Sequence, residues 1–177
     1  MSRKDRWMRK SAIPVIAAVV CFPVVVMADA YIDLNASSPS TLQVSSNSSP
    51  CPGEGLACIN VPGGSSHHLF FDLKNACKQN GPQYKLSAFR LAMKDKDWPT
   101  ASNPLPANVA GDFGADPNTG YVNWDAGNNS LSDDKIKLKD KNVGAYSVFY
   151  EITATGCNGA GEIKLDPVIK NGGGGNP

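Results

Sequence analysis

"DDKIKLKDKNVGAYSVFYEITATGC", residues 133–157, decides the fold class. Ile136 and Leu138 sit between Lys135, Lys137 and Lys139. After a turn over Asp140 to Gly144, Tyr146, Val148, Tyr150 and Ile152 hold one phase while Ser147, Phe149, Glu151 and Thr153 hold the other. Side chains of a strand point alternately to opposite faces, so a period of two over this length predicts a short strand, a turn and a long strand, each buried on one face. Lys135, Lys137, Lys139 and Lys141 read as the solvated face of the first strand, blunting an edge, with an anion-binding patch as the alternative. Asn158-Gly159-Ala160-Gly161 then reverses the chain into "EIKLDPVIKN", a hairpin that closes the sheet with Cys157 at its rim.

Upstream, "YIDLN" (31–35), "TLQVSS" (41–46) and "HHLFFDL" (67–73) alternate in the same way. "YKLSAFRLAM" (84–93) contains helix formers, but Pro82 and Pro99 bracket it and a strand is the expectation. Residues 45–66 are rich in Ser, Pro and Gly and read as a loop. Asp95 to Val109 contains three prolines, which cannot donate to a ladder, and reads as an irregular surface crossing whose Trp98 covers an edge of the core. "GDFGADPNTGYVNW" (111–124) reads as a hairpin with its tip at Asp116 to Gly120. About seven short strands without a long amphipathic helix predict an all-β sandwich. The expected organisation is one domain over residues 31–171, followed by a disordered glycine-rich tail over 172–177.

Residues 1–30 read as a signal peptide. Arg3, Lys4, Arg6, Arg9 and Lys10 precede an apolar run from Ala12 to Met27, and Ala28-Asp29-Ala30 offers a cleavage site after Ala30. The alternative, an uncleaved membrane anchor, would have to span with 16 residues that include Pro14 and Pro23, against the roughly 20 a helix needs. Val20 before Cys21 does not fit a lipoprotein signal, and no Arg-Arg pair marks twin-arginine export. The expected location is periplasmic or secreted. Residues 31–177 carry 12 basic and 14 acidic side chains, which excludes the basic footprint of a nucleic-acid binder.

That stretch also holds four cysteines, Cys51, Cys58, Cys77 and Cys157, and an even number in an exported chain reads as disulfides. Of the three possible pairings, Cys51–Cys58 closes locally across "CPGEGLAC" and leaves Cys77–Cys157 to tie distant strands. Chain entropy values the two at about 2.5 and about 4.5 kcal/mol. Zinc is disfavoured because the Cys-x6-Cys spacing is wider than structural zinc sites use.

Catalytic constellations are scarce. The only histidines, His67 and His68, are adjacent and alternate on a strand, so they grip one ion only if both lie in the preceding loop. No Gly-x-Ser-x-Gly elbow occurs, and a triad would have to use that histidine pair. Two facing carboxylates of a glycosidase would be invisible at this level. Asp112, Asp116 and Asn118, with Gly114, resemble a calcium loop, but the glycine is misplaced and Asn123 stands where a bidentate glutamate belongs; a plain turn is preferred. No cofactor is expected. The leading expectation is a binding or structural module acting by protein–protein contact or self-association, with the partner unspecified. The alternatives are a carbohydrate-binding module stacking sugars on Trp98, Tyr121 and Trp124, and metal capture by His67 and His68.

Two resemblances accompany this reading. Asp140-Lys-Asn142-Val-Gly144-Ala-Tyr146 leads into a strand much as the tyrosine corner of immunoglobulin-like domains does, although Val148 stands where their cysteine would follow. The fold expected is thus an immunoglobulin-like or cupredoxin-like sandwich, but blue copper would need a histidine and a methionine after Cys157, and neither is present. Leu165-Asp166-Pro167-Val168-Ile169-Lys170-Asn171 resembles the closing strand of the DP-EP family of small exported proteobacterial proteins, over roughly the last 35 residues and without a Glu-Pro. That resemblance implies compartment and fold, and no activity.

Overall fold

The computed structural model describes residues 29–37, 41–74, 76–77, 84–94, 96–125, 128–159 and 161–172. Ten strands and one helix occur among them: β1 (Ala30–Ser37), β2 (Thr41–Asn47), β3 (Ile59–Pro62), β4 (His67–Leu73), β5 (Tyr84–Ala92), α1 (Ala107–Phe113), β6 (Ser130–Leu131), β7 (Lys135–Asp140), β8 (Ala145–Gly156), β9 (Glu162–Leu165) and β10 (Val168–Gly172). They form two mixed five-stranded sheets. One runs β2-β1-β4-β7-β6; the other runs β3-β10-β8-β5, with β9 also on β8. The β1/β4 and β10/β3 pairs are parallel, and the other pairs are antiparallel.

The alternation read from the sequence sets what faces inward. Leu69, Phe71 and Leu73 of β4 and Ile136 and Leu138 of β7 are buried, facing Val148, Tyr150, Ile152 and Ala154 of β8. Three rings join the sheets at the centre: Phe71 lies 5.3 Å from Phe89 and 5.5 Å from Tyr150, which stacks on Phe89 at 5.2 Å. Full burial of each such ring contributes about 1.5–3 kcal/mol. The Tyr150 hydroxyl donates to the Ala57 carbonyl at 3.1 Å, anchoring the 51–58 loop to the core.

Both disulfides form as Cys51–Cys58 and Cys77–Cys157, with Cα separations of 5.4 and 5.9 Å. The second joins the crossing from β4 to β5 with the end of β8, and so links the route between the sheets to the longest strand.

Four expectations are corrected. Residues 45–66 are not all loop, because Ile59–Pro62 pairs with β10. Residues 107–113 form a helix inside a stretch expected to be irregular and then a hairpin; it is seven residues long with no side-chain N-cap, and Gly114 ends it at φ 66°. The reversal after it does exist, with Ala115 bridging Val122. "EIKLDPVIKN" is two strands rather than one, broken at Asp166-Pro167, both lying on the same side of β8. β7 is no free edge: β6 pairs with it, and Asn129 Oδ1 accepts the Lys139 N–H at 2.8 Å, so its lysines do not guard an open ladder. Residues 1–28 of the expected signal peptide and 173–177 of the expected tail lie outside the described residues. Among the described residues, no helix is long and apolar enough to cross a membrane.

Candidate functional site

At one end of the sandwich the inward positions change from apolar to polar. On the first sheet these are His67 of β4 and Asp140 of β7, which are register partners; on the second they are Tyr146 of β8 and Asn171 of β10, also register partners. The sheets meet there through a hydrogen bond from Asn171 Nδ2 to Asp140 Oδ1 at 3.2 Å. Asn142, held at φ 54° in the turn between β7 and β8, donates its backbone N–H to the same oxygen at 2.8 Å. Its side-chain amide donates to the carbonyls of Pro62 (2.7 Å) and Ser65 (3.3 Å).

Helix α1 closes this end with Asp112. The Asp112 carboxylate accepts the Val143 N–H at 3.1 and 3.2 Å and the Tyr146 hydroxyl. The tyrosine of the corner-like stretch therefore reaches a carboxylate on a helix, not the nearby backbone group a tyrosine corner uses. An open cleft of about 250 Å³, lined by Asp112, Phe113, Gly114, Asn128, Asn129, Lys139 and Lys141, lies beside it.

Every side chain of this layer except Tyr146 is at most 8% exposed, so each polar atom needs a partner. Asp140 Oδ2, Asn142 Oδ1 and Asn171 Oδ1 have none, and neither does His67 Nε2. Burial, with the Asp112 charge nearby, raises the Asp140 carboxyl to about 7, against the lowering effect of its bonds from Asn142 and Asn171. Burial also raises the Tyr146 hydroxyl, and its bond to Asp112 adds to this. The layer thus holds two carboxylates and a surplus of acceptor oxygens.

The residues singled out from the sequence are dispersed by the fold. His67 is buried in this layer, while His68 faces outward, its backbone N–H donating to Asp29 Oδ1 at 2.9 Å, so the two rings lie on opposite faces of β4. Asp112 points inward, whereas Asp116 is exposed and caps its own turn, accepting the N–H groups of Asn118 (2.8 Å) and Thr119 (3.0 Å); the calcium-loop resemblance does not assemble. The three aromatics also separate. Trp98 covers the Arg90 guanidinium at 3.7 Å, with Tyr121 at 5.7 Å from it, while Trp124 packs against the core. Trp98 accordingly lies over Arg90 of β5, the end strand of its sheet.

Under that roof Arg90 makes a bidentate pair with Glu151 at 2.8 and 3.1 Å, and Lys164 adds a contact at 3.3 Å. Burial alone would raise the Glu151 carboxyl, but the Arg90 hydrogen bonds and charge, with Lys164, bring it below the ordinary glutamate value.

Sequence reasoning passed over Asp140, Asn142 and Asn171 as a functional group. The available signal was phase: Asp140 follows Ile136 and Leu138 at the inward positions of its strand, and Asn171 follows Ile169. A polar residue in an apolar phase marks the end of a core or a site within it. No family model matches the chain, and no curated protein matches it.

Proposed function

We propose that this chain is an exported, disulfide-stapled β-sandwich of the binding or structural type, acting in the periplasm or outside the cell by contact with another protein or with a second copy of itself. The immunoglobulin-like or cupredoxin-like class and the DP-EP kinship belong to the same reading. The observation that carries it is the inequality of the two outer faces. On the β3-β10-β8-β5 sheet, Arg90, Glu151 and Lys164 are joined and roofed by Trp98 and Tyr121, leaving Glu151 buried. On the other sheet the outer face stays open, with Tyr31 56% exposed and stacked on Phe70 at 4.9 Å, flanked by His68 and Lys137. An aromatic cluster with a polar rim is the usual core of a contact surface. The carbohydrate reading is weaker, because the Trp98 face is occupied by Arg90 and Trp124 is packed inward.

The test is a photo-crosslinking residue at Tyr31, with Lys164 as the control, in the intact envelope. A discrete adduct from position 31 alone supports the reading. No adduct at 31, together with monomeric behaviour in solution, overturns it.

Ala30 is 4% exposed and pairs with Leu69, and Asp29 holds His68, so cleavage after Ala30 would remove two residues the fold uses. We therefore place the mature N-terminus at Asp29, following the small residue Ala28. N-terminal sequencing of exported protein tests this: a start at Asp29 supports it and a start at Tyr31 contradicts it.

A further inference from the structure

We propose that the polar layer between α1, the β7–β8 turn and β10 is a binding site for a hard divalent cation, calcium by chemistry, held by Asp140 Oδ2 and the side-chain carbonyls of Asn142 and Asn171, with Asp112 supplying the second negative charge. The site is independent of the contact function above.

Four observations converge. First, three unpartnered acceptor oxygens belong to residues that are 0%, 8% and 5% exposed. Each such atom, left alone, costs about 1–3 kcal/mol, so each calls for a donor or an ion. Second, their residues are linked through Asp140 Oδ1, which accepts the Asn142 backbone N–H and the Asn171 side-chain amide. Third, Asp112, itself 1% exposed, is within electrostatic range of Asp140, yet neither carboxylate has a basic partner within ion-pair distance among the described residues. Without a counter-ion such a pair sheds charge by holding a proton, as the raised Asp140 carboxyl reflects, and a cation would let both ionise.

Fourth, the donor set is all oxygen, which selects hard cations over zinc or copper. Among the described residues, the group of three whose His, Cys, Asp or Glu ligand atoms approach one another within 4.8 Å is Cys51, Glu54 and Cys58, and both its sulfurs are in the disulfide. His67 is thus not gathered with the two carboxylates as a zinc ligand. The open cleft reaches the layer at Asp112, and water would complete a coordination shell of about six to eight oxygens. Lys139 and Lys141 line that cleft and oppose a cation near Asp112, so the affinity expected is weak, about 10⁻⁴–10⁻³ M.

The experiment uses the disulfide-intact protein, stripped with chelator and titrated with calcium chloride, and in parallel with magnesium chloride, by calorimetry and thermal melting. Expected are a single calcium site, a melting temperature that climbs with calcium, a weaker magnesium response, and calcium affinity reduced about tenfold or more in Asp140→Asn. Asn171→Ala gives the same reading should Asp140→Asn fail to fold, and the unmodified protein decides the matter without either. No calcium response up to about 10 mM overturns the proposal. So does an equal response to both ions. A calcium-blind protein that Asp140→Asn stabilises would also overturn it, assigning the missing donor to a proton shared with Asp140.

Discussion

Replacing Arg90 by methionine tests the buried ion pair while keeping most of the side-chain volume under Trp98. In the native fold the Glu151 side chain is 4% exposed and receives both Arg90 hydrogen bonds, at 2.8 and 3.1 Å. Removing one partner of such a pair costs about 3–5 kcal/mol, because the remaining charge is stranded. Lys164 stays at 3.3 Å but is 42% exposed and screened, so the expected loss sits at the low end, about 3 kcal/mol. For a chain of this length that corresponds to about 6–12 °C in melting temperature. The assay is urea unfolding with disulfides intact, where the midpoint falls and the slope does not change.

The pH dependence follows from the lowered Glu151 carboxyl. A carboxylate whose folded pKa lies below its unfolded value of about 4.3 adds stability above that value and loses it as pH falls through the folded pKa. The gap between native protein and Arg90→Met therefore narrows below about pH 4. Arg90→Met combined with Glu151→Leu recovers most of the loss, since no charge is left stranded. A single-variant loss under about 0.5 kcal/mol, the scale of a surface substitution, or no recovery in the double variant, refutes the reasoning.

Two further outcomes are expected. Gly120→Ala, at φ 75° and with its new methyl overlapping the Leu91 carbonyl, loses more than the roughly 1 kcal/mol of an ordinary glycine substitution, read by the same unfolding assay. Removing Cys77–Cys157 as paired alanines costs about 2 kcal/mol more than removing Cys51–Cys58, because the loop it closes spans 80 residues against 7; equal losses would count against the chain-entropy account.

What was legible in the sequence was whatever has a short period. The phase of Tyr146, Val148, Tyr150 and Ile152 put those side chains on the inner face, and His67 and His68 fell on opposite faces for the same reason. Local closure across "CPGEGLAC" left one long-range pairing, and that pairing formed. Helix α1 was illegible because its seven residues include Gly111, follow Pro106 and carry no cap, so neither period nor boundary signal exists. β3 was hidden among prolines and glycines because a parallel partner 110 residues later, Ile169 for Ile59, supplies its ladder. The polar layer brings together Asp112, Asp140 and Asn171, and tertiary packing decides that neighbourhood. Trp98 looked free to stack on a sugar because its partner, Arg90, reaches it across the face of a different strand.

The central claim is that two sulfur bridges hold this sandwich together. Peptide mapping of the native protein, alkylated before digestion and never reduced, tests it most directly. The account predicts peptides linked through Cys51–Cys58 and Cys77–Cys157 and no alkylated cysteine among the four; free thiols at these positions, or any crossed pairing, would contradict it.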